Sequence, residues 1–299
     1  MWKERGGFLG IAVAIGGLVL AVLVAGGTSF SGSEVWARSD GGTAALVSEP
    51  RAVGDFSRIE IAGPIDVDLR IGSRISVVAQ ARNAEDLRHI VTHVRGDRLV
   101  VEGRHLRRWS WKRHPLRVAV VVPALEAATI SGAGDLSVTG LDGGDFSIRI
   151  SGAGDATLTG RCAGLDVDLS GAGDLDISDL TCRRLTLAIS GAGDIMGRAG
   201  DEITADVAGA GDVRLVGQCR RARIRVRGAG DFRGSKLMCE SVDARVSGAG
   251  DVIIGVRGPV WLHRSGVGDI TVLGDPDIRE IEGSGPGDIH IRRSAASGG

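Results

Sequence analysis

Aspartates recur at a nearly constant interval through the second half of this 299-residue chain, each ending a pentapeptide close to Ser-Gly-Ala-Gly-Asp. They are Asp135, Asp155, Asp174, Asp194, Asp212, Asp231, Asp251, Asp269 and Asp288. Such carboxylates can bind Ca²⁺, as Gly-Gly-x-Gly-x-Asp repeats do. They can also form a structural ladder in which turn amides donate to each carboxylate, while the glycines permit positive φ and close approach of the backbone. Only Gly143-Gly144-Asp145 resembles a second calcium half-site, so we favour the ladder, keep Ca²⁺ as the alternative and expect no other cofactor.

The spacing of the pentapeptides predicts the strands that carry them. Successive aspartates are 18 to 20 residues apart, and apolar residues alternate with period two between them. Phe146, Ile148 and Ile150 precede one pentapeptide, and Ala156 and Leu158 follow it. A coil of about 19 residues cannot bury its apolar face alone, but coils stacked at about 4.8 Å share a continuous core. We therefore predict an all-β fold, a right-handed parallel β-helix of about nine coils with two strands each, over residues 126–293.

Four cysteines share one position in the repeat. Cys162, Cys182, Cys219 and Cys239 each lie eight residues before a pentapeptide. Members of neighbouring coils would be about 5 Å apart, whereas Cys182 and Cys219 would be about 10 Å apart, beyond the reach of a disulfide. We predict disulfides Cys162–Cys182 and Cys219–Cys239, with stacked reduced thiols as the alternative.

The amino-terminal part of the chain contains an uncharged, apolar segment that could cross a membrane. Residues 8–27 carry no charge and are long enough, as a helix, to cross the hydrocarbon layer. We predict that residues 1–27 form a membrane anchor or a signal peptide, since Val35–Ala37 offers a cleavage site. Residues 28–45 are predicted to be a linker, and the chain beyond them is expected outside the cytoplasm.

Residues 46–125 show alternating strands without the pentapeptide. We predict a β-rich capping region of antiparallel strands, with one short helix at Ala84 to Ile90, that covers the open first coil. Residues 294–299 are small and polar and are predicted to be a disordered tail.

A basic aromatic loop interrupts this region at residues 103–115. Its candidate ligand contacts are Arg107, Arg108, Trp109, Trp111, Lys112 and Arg113. Cationic and aromatic side chains together favour an anionic lipid or a glycan. The alternative is an ordinary solvated hairpin loop.

Other motifs have simpler interpretations. His89 and His93 have metal-ligand spacing only on a helix, and a strand is expected there. The Arg95-Gly96-Asp97 tripeptide is explained by a turn between two strands.

Charge and composition exclude several classes of function. The formal net charge is −1, with 36 basic and 37 acidic residues, so no overall basic field favours nucleic acid. An enzyme needs a cleft with differently tuned acids and bases, and uniform ladders do not supply one. The mixed clusters are Trp261, His263 and Arg264 and the neighbourhood of His290. We therefore predict no catalytic or metal-binding residues.

The sequence as a whole resembles the head GIN domain family, described as putative auto-transporter adhesin heads. The resemblance rests on Phe56–Ile59, Ile65–Leu69, Val121–Leu125 and the pentapeptide series, and it spans about residues 50–293. It implies an exported β-helix of the bacterial envelope without known catalysis.

The predicted function is a non-enzymatic exported cell-envelope protein with an adhesin-like or scaffold role. It would lie in the periplasm or at the cell surface, held in the membrane by residues 8–27. Its expected partners are an envelope glycan, lipid or protein, and no nucleic acid. The alternatives are a glycan or lipid binding module acting through residues 103–115 and a polysaccharide-active β-helix enzyme.

Overall fold

Alternating apolar side chains wind the chain into a stack of parallel strands. The computed structural model describes residues 46–104 and 116–293, which form 22 strands and one 3₁₀ helix, Asp86–His89. The strands are β1 Val47–Pro50, β2 Arg58–Ala62, β3 Asp66–Ile71, β4 Ser76–Ala81, β5 Ile90–Arg95, β6 Arg98–Gly103, β7 Arg117–Val122, β8 Ala127–Ile130, β9 Leu136–Asp142, β10 Asp145–Ile150, β11 Ala156–Leu169, β12 Leu175–Ile177, β13 Leu180–Ile189, β14 Ile195–Arg198, β15 Glu202–Val207, β16 Val213–Val226, β17 Phe232–Val246, β18 Val252–Val256, β19 Pro259–Arg264, β20 Ile270–Gly274, β21 Asp277–Gly283 and β22 Ile289–Arg292.

Strands before each pentapeptide pair with one another, and so do the strands after it. One inward column runs through the first series, with each residue the register partner of the next: Ile148, Val167, Leu187, Ala205, Ile224, Ala244 and Leu262. All of these side chains are buried, and they form one aliphatic core. The fold is a parallel β-solenoid of about eight turns, which confirms the predicted architecture. Its right-handed sense stays a prediction.

Several coils do not divide into two separate strands. β11, β16 and β17 are 14, 14 and 15 residues long and continue through the corner opposite the pentapeptide. Gly160 and Gly217 lie within two of these strands at φ 121° and 118°, which L side chains rarely adopt, next to shifts of register. The backbone therefore turns at a bulge while the ladder of hydrogen bonds continues.

Part of the amino-terminal region is built into the solenoid, and for these strands the predicted antiparallel pairing is wrong. β2 pairs in parallel with both β6 and β8, and β3 pairs in parallel with both β7 and β9. The β2–β3 coil is thus enclosed between the β6–β7 coil and the first coil of the repeat. Period-two alternation is the same for parallel and antiparallel strands, so the sequence pattern could not distinguish them.

The remaining strands of this region close the end of the stack. β4 pairs antiparallel with β7, β5 pairs antiparallel with β6, and β1 adds antiparallel to β4. The 3₁₀ helix Asp86–His89 lies within the predicted short helix, and its Leu87 is buried. The antiparallel strands β4 and β5 therefore cover the edges of the outermost parallel coil, β6–β7.

The last coil is more open than the others. Every residue of β21 is exposed, with Ile278 at 41% and Ile281 at 45%. In the preceding coil Arg264 occupies an inward position, and its register partner in the last coil is Gly283, so the aliphatic column is interrupted.

The predicted anchor, linker and tail lie outside the described residues. Within residues 46–104 and 116–293, no helix has the length and apolar character needed to span a membrane.

Candidate functional site

The repeated aspartates stand in one row along the solenoid and are joined by hydrogen bonds. In each step the backbone N–H of one aspartate donates to Oδ1 of the aspartate one coil earlier, at 2.7 to 3.2 Å. The row runs without a break from Asp66 to Asp288. Each carboxylate therefore satisfies a backbone donor at the corner of the next coil.

The pentapeptide glycines let the coils approach one another. A Cβ added to Gly152 would lie 1.9 Å from the carbonyl oxygen of Gly132, and one added to Gly193 would lie 2.0 Å from that of Gly173. From the sequence we also expected positive φ angles at these glycines. None of the pentapeptide glycines from Gly132 to Gly268 has a φ in the left-handed region. Gly285 in the last pentapeptide, at φ 85°, is an exception. The space between coils, and not the backbone conformation, requires glycine in the others.

Sequence analysis missed the first aspartate of the row. Asp66 accepts the N–H of Asp135 at 3.2 Å, and it faces Arg117 on the other side. Pro64 and Ile65 replace the Ala and Gly of the pentapeptide, and residues 72–126 intervene before the next repeat. Burial raises the pKa of Asp66 above 3.8, although the hydrogen bond from Asp135 works in the opposite direction.

An arginine offsets part of the charge in the row. Stacked carboxylates at about 4.8 Å repel by about 0.9 kcal/mol per pair even at the dielectric constant of water. Arg233 lies 2.7 Å from Asp212 and 2.9 Å from Asp231, so it bridges two successive members. Its hydrogen bond to Asp231 raises the pKa of Arg233. This arginine follows its own aspartate by two residues, which places it on the same outward face.

We predict that Asp174→Ala lowers the free energy of unfolding by about 1 kcal/mol, because the N–H of Asp194 loses its acceptor. Asp174→Asn keeps an acceptor oxygen and removes one charge from the row, so its stability should equal or exceed that of the wild type. Urea unfolding at neutral pH measures both variants. Equal losses in the two would contradict a role for the carboxylate as hydrogen-bond acceptor.

Many of the carboxylate oxygens that could bind Ca²⁺ already have other partners. Oδ1 of each carboxylate from Asp66 to Asp269 already accepts a backbone N–H. The second half-site suggested by Gly143-Gly144-Asp145 is also engaged, because Asp145 lies 3.3 Å from Arg184. Monodentate carboxylates spaced a coil apart do not by themselves provide the six to eight oxygens that Ca²⁺ takes.

The cysteines lie in two adjacent pairs, each joined by a disulfide. Cys162 and Cys182 are register partners with a Cα–Cα distance of 4.5 Å, and Cys219 and Cys239 have 4.4 Å. All four are buried at the corner opposite the aspartates. Each disulfide therefore fastens two successive coils.

The predicted contact loop is outside the described residues. Arg107, Arg108, Trp109, Trp111, Lys112 and Arg113 all fall in residues 105–115. The segment connects β6 to β7, which are strands of the outermost parallel coil.

The two histidines flagged by their spacing lie on different elements. His89 Nδ1 is 2.9 Å from the carbonyl oxygen of Arg104 at the end of the 3₁₀ helix. His93 lies on β5, 3.8 Å from Glu102. The structure does not bring the two together as a helical pair of ligands.

The Arg95-Gly96-Asp97 tripeptide forms the turn between β5 and β6. Gly96 has φ 64°, and Asp97 makes an ion pair with Arg58 at 3.3 Å. The carbonyl of Asp97 accepts the N–H of Ser57. The tripeptide therefore has local structural partners.

The flagged cluster near Trp261 borders a basic groove that sequence analysis did not predict. We call it the arginine groove; it has a volume of about 500 Å³. Its charged lining residues are Arg225, Arg227, Arg245, His263, Arg264 and Glu282. The signal in the sequence is the run from Arg220 to Arg227, where basic residues alternate with apolar ones. Period-two alternation places those side chains on one outward face.

Acidic groups border the groove at its carboxyl-terminal side. His263 lies 3.2 Å from Glu282 and 3.7 Å from Glu280, so the three can form an ion-pair network. Their ligand atoms lie within 4.8 Å of one another. His290, the other flagged residue, is on β22, where it is the register partner of Thr271.

The sequence of this chain matches a known protein family. A protein family described as "putative auto-transporter adhesin, head GIN domain" matches residues 55–219 and 213–276. Comparison with curated proteins finds no match.

Several solved structures share the fold. A putative adhesin from Parabacteroides distasonis is 18% identical, with a TM-score of 0.63, covering 83% of this chain and 97% of its own. A putative lipid binding protein from the same species is 16% identical, with a TM-score of 0.60 and coverage of 82% and 96%. A putative adhesin from Parabacteroides merdae is 16% identical, with a TM-score of 0.60 and coverage of 84% and 96%. At these identities the likeness concerns the fold alone. Because the family match covers well over half of the sequence, the chain belongs to the head GIN domain family.

Proposed function

We propose that this protein is an exported, non-enzymatic binding protein of the bacterial cell envelope, with an adhesin-like role. The observation that carries the proposal is the solenoid itself, whose hydrogen-bonded aspartate row and buried core hold regular polar faces in fixed positions. A surface of this kind suits attachment to a repetitive partner. Membership of the head GIN family and two solved neighbours described as putative adhesins support the same role.

The proposed location is outside the cytoplasm, with residues 8–27 as the membrane anchor. The uncharged run and the preceding basic residues support this orientation. Two disulfides are also consistent with an oxidising compartment.

Deletion of the gene and complementation with the full chain test the role. We expect protease added to intact cells, or to cells with a permeabilised outer layer, to digest the chain. Adherence of the deletion strain to glycan-coated or cell-coated surfaces should fall several-fold and return on complementation. Unchanged adherence, or a chain found only in the cytosol, would refute the proposal.

A second candidate function is lipid binding through residues 103–115. It is favoured by one solved neighbour described as a putative lipid binding protein and by the basic and aromatic composition of the segment. Trp109→Ala with Trp111→Ala should abolish binding to phosphatidylglycerol vesicles without lowering the melting temperature. Binding that survives this change would exclude the segment as the lipid contact.

A further inference from the structure

The arginine groove holds positive charge that its acidic neighbours neutralise only in part. Arg245 pairs with Asp243 at 3.2 Å, and Arg227 pairs with Asp206. Arg225 and Arg245 are register partners on adjacent strands, so two guanidinium groups stand one coil apart. Asp206, the register partner of Arg225 on the other side, forms a two-oxygen pair with Arg227 at 2.8 Å instead. Within the described part of the chain, Arg225 makes no ion pair. Like charges directly opposite each other destabilise a sheet. Asp243 compensates Arg245 but makes no ion pair with Arg225, so an anion held between the two guanidinium groups would offset the repulsion that remains.

A buried arginine adds a fixed cation to the same groove. Arg264 is only 8% exposed and occupies an inward position, opposite Gly283 in the next coil. Its Nη1 donates to the carbonyl oxygens of Gly266 at 3.1 Å and Ser284 at 2.8 Å. Its Nε is buried and has no hydrogen-bond partner. A buried charge without a carboxylate partner is costly, and Arg264 is one of the residues that line the groove.

The surroundings suit a sugar better than a bare inorganic anion. Trp261 precedes His263 by two residues and therefore lies on the same outward face of β19, where it is half-buried. An indole ring offers an apolar face against which the C–H face of a pyranose can stack. The groove is also lined by Ser247, Ser265 and Ser284, whose hydroxyls can donate to and accept from sugar hydroxyls.

We infer that the arginine groove binds the carboxylate or sulfate groups of an acidic polysaccharide. The inference rests on the proposed function, because it names the class of partner that an adhesin-like solenoid would hold. An anionic group between Arg225 and Arg245 would accept hydrogen bonds from two planar donors at once, the geometry in which arginine binds carboxylate and sulfate well.

The test compares polysaccharides that differ in their anionic group. The full chain in detergent is titrated with hyaluronan, which carries only carboxylates, with dextran sulfate, which carries only sulfates, and with neutral dextran. We expect binding to at least one charged polymer, weakening with added salt, and none to neutral dextran. The polymer that binds identifies the anionic group, and failure of both overturns the inference.

Matched variants then locate the binding. Arg225→Gln with Arg245→Gln should weaken binding at least tenfold. The control, Arg149→Gln with Arg161→Gln, removes the same charge from outward ion pairs on distant coils and should change binding less than twofold. Equal losses in the two double variants would mean diffuse electrostatic attraction and would overturn the site. Vesicle binding without polysaccharide binding would overturn the polysaccharide. If that vesicle binding is lost in the Arg225→Gln, Arg245→Gln variant but kept in the Trp109→Ala, Trp111→Ala variant, the groove binds lipid. Melting temperatures of both variants check that the fold is kept.

Adherence separates this inference from the proposed function. The deletion strain is complemented with the wild type or with the Arg225→Gln, Arg245→Gln variant. If both restore adherence equally, the groove is not the binding site and the proposed function stands. If the wild type fails to restore adherence, the proposed function fails regardless of the groove.

Discussion

Gly193→Ala is expected to lower the free energy of unfolding by about 3 kcal/mol, the upper end of the usual cost of overpacking. The added methyl group would lie 2.0 Å from the carbonyl oxygen of Gly173 and 2.8 Å from its carbonyl carbon. Both are backbone atoms of the preceding coil, so no side chain can move aside. The coils would have to separate, which also weakens the hydrogen bond from the Asp194 N–H to Asp174.

Gly144→Ala is the matched control for this prediction. A Cβ at that position meets no atom within 4 Å, and its φ is not in the left-handed region. Its stability should stay within about 0.5 kcal/mol of the wild type. Urea unfolding followed by circular dichroism measures both variants. A Gly193→Ala protein as stable as Gly144→Ala would disprove the close contact between pentapeptides.

Replacing Cys162 and Cys182 together by alanine is expected to cost about 3 kcal/mol, because the bond closes a loop whose ends are 20 residues apart. Both sulfurs are buried, so loss of their packing adds to the effect. The Cys219, Cys239 double variant should behave alike, since its separation is also 20 residues.

Reduction provides an internal control. Thermal unfolding of the wild type should shift to lower temperature with dithiothreitol, whereas a variant lacking all four cysteines should not respond. A wild-type melting temperature that is insensitive to complete reduction, verified by thiol alkylation, would show that the disulfides contribute nothing to stability.

The repeated part of the fold could be predicted because every coil has the same pattern of alternating apolar residues and one pentapeptide. Inward residues such as Ile148 and Leu187 recur at fixed positions, and the pentapeptide sets the phase. Sequence analysis missed Asp66 because the chain after β3 first forms the cap and the β6–β7 coil on one side of the β2–β3 coil. It reaches the other side only at β8. Fixed spacing along the sequence fails where coils adjacent in space are not adjacent in the chain.

The arginine groove could not be predicted from residue types alone. A run of arginines in one strand usually indicates a solvated face. What distinguishes this one is register: Arg225 meets Arg245, while Asp206 turns to Arg227. In the sequence, Arg264 interrupts the alternating pattern of apolar residues. The structure shows in addition that its Nε is buried without a hydrogen-bond partner.

The enclosure of the β2–β3 coil has a consequence for the order in which the coils can assemble during synthesis. Register partners Ile61 and Ile130 are 69 positions apart in the chain, so the second surface of that coil stays uncovered until β8 has emerged. We expect closure of so long a loop to be slower than the addition of each later coil, which is a local event on a formed template. A chain whose synthesis stops before Ile130 would leave one apolar surface of that coil exposed, which chaperones and proteases can recognise.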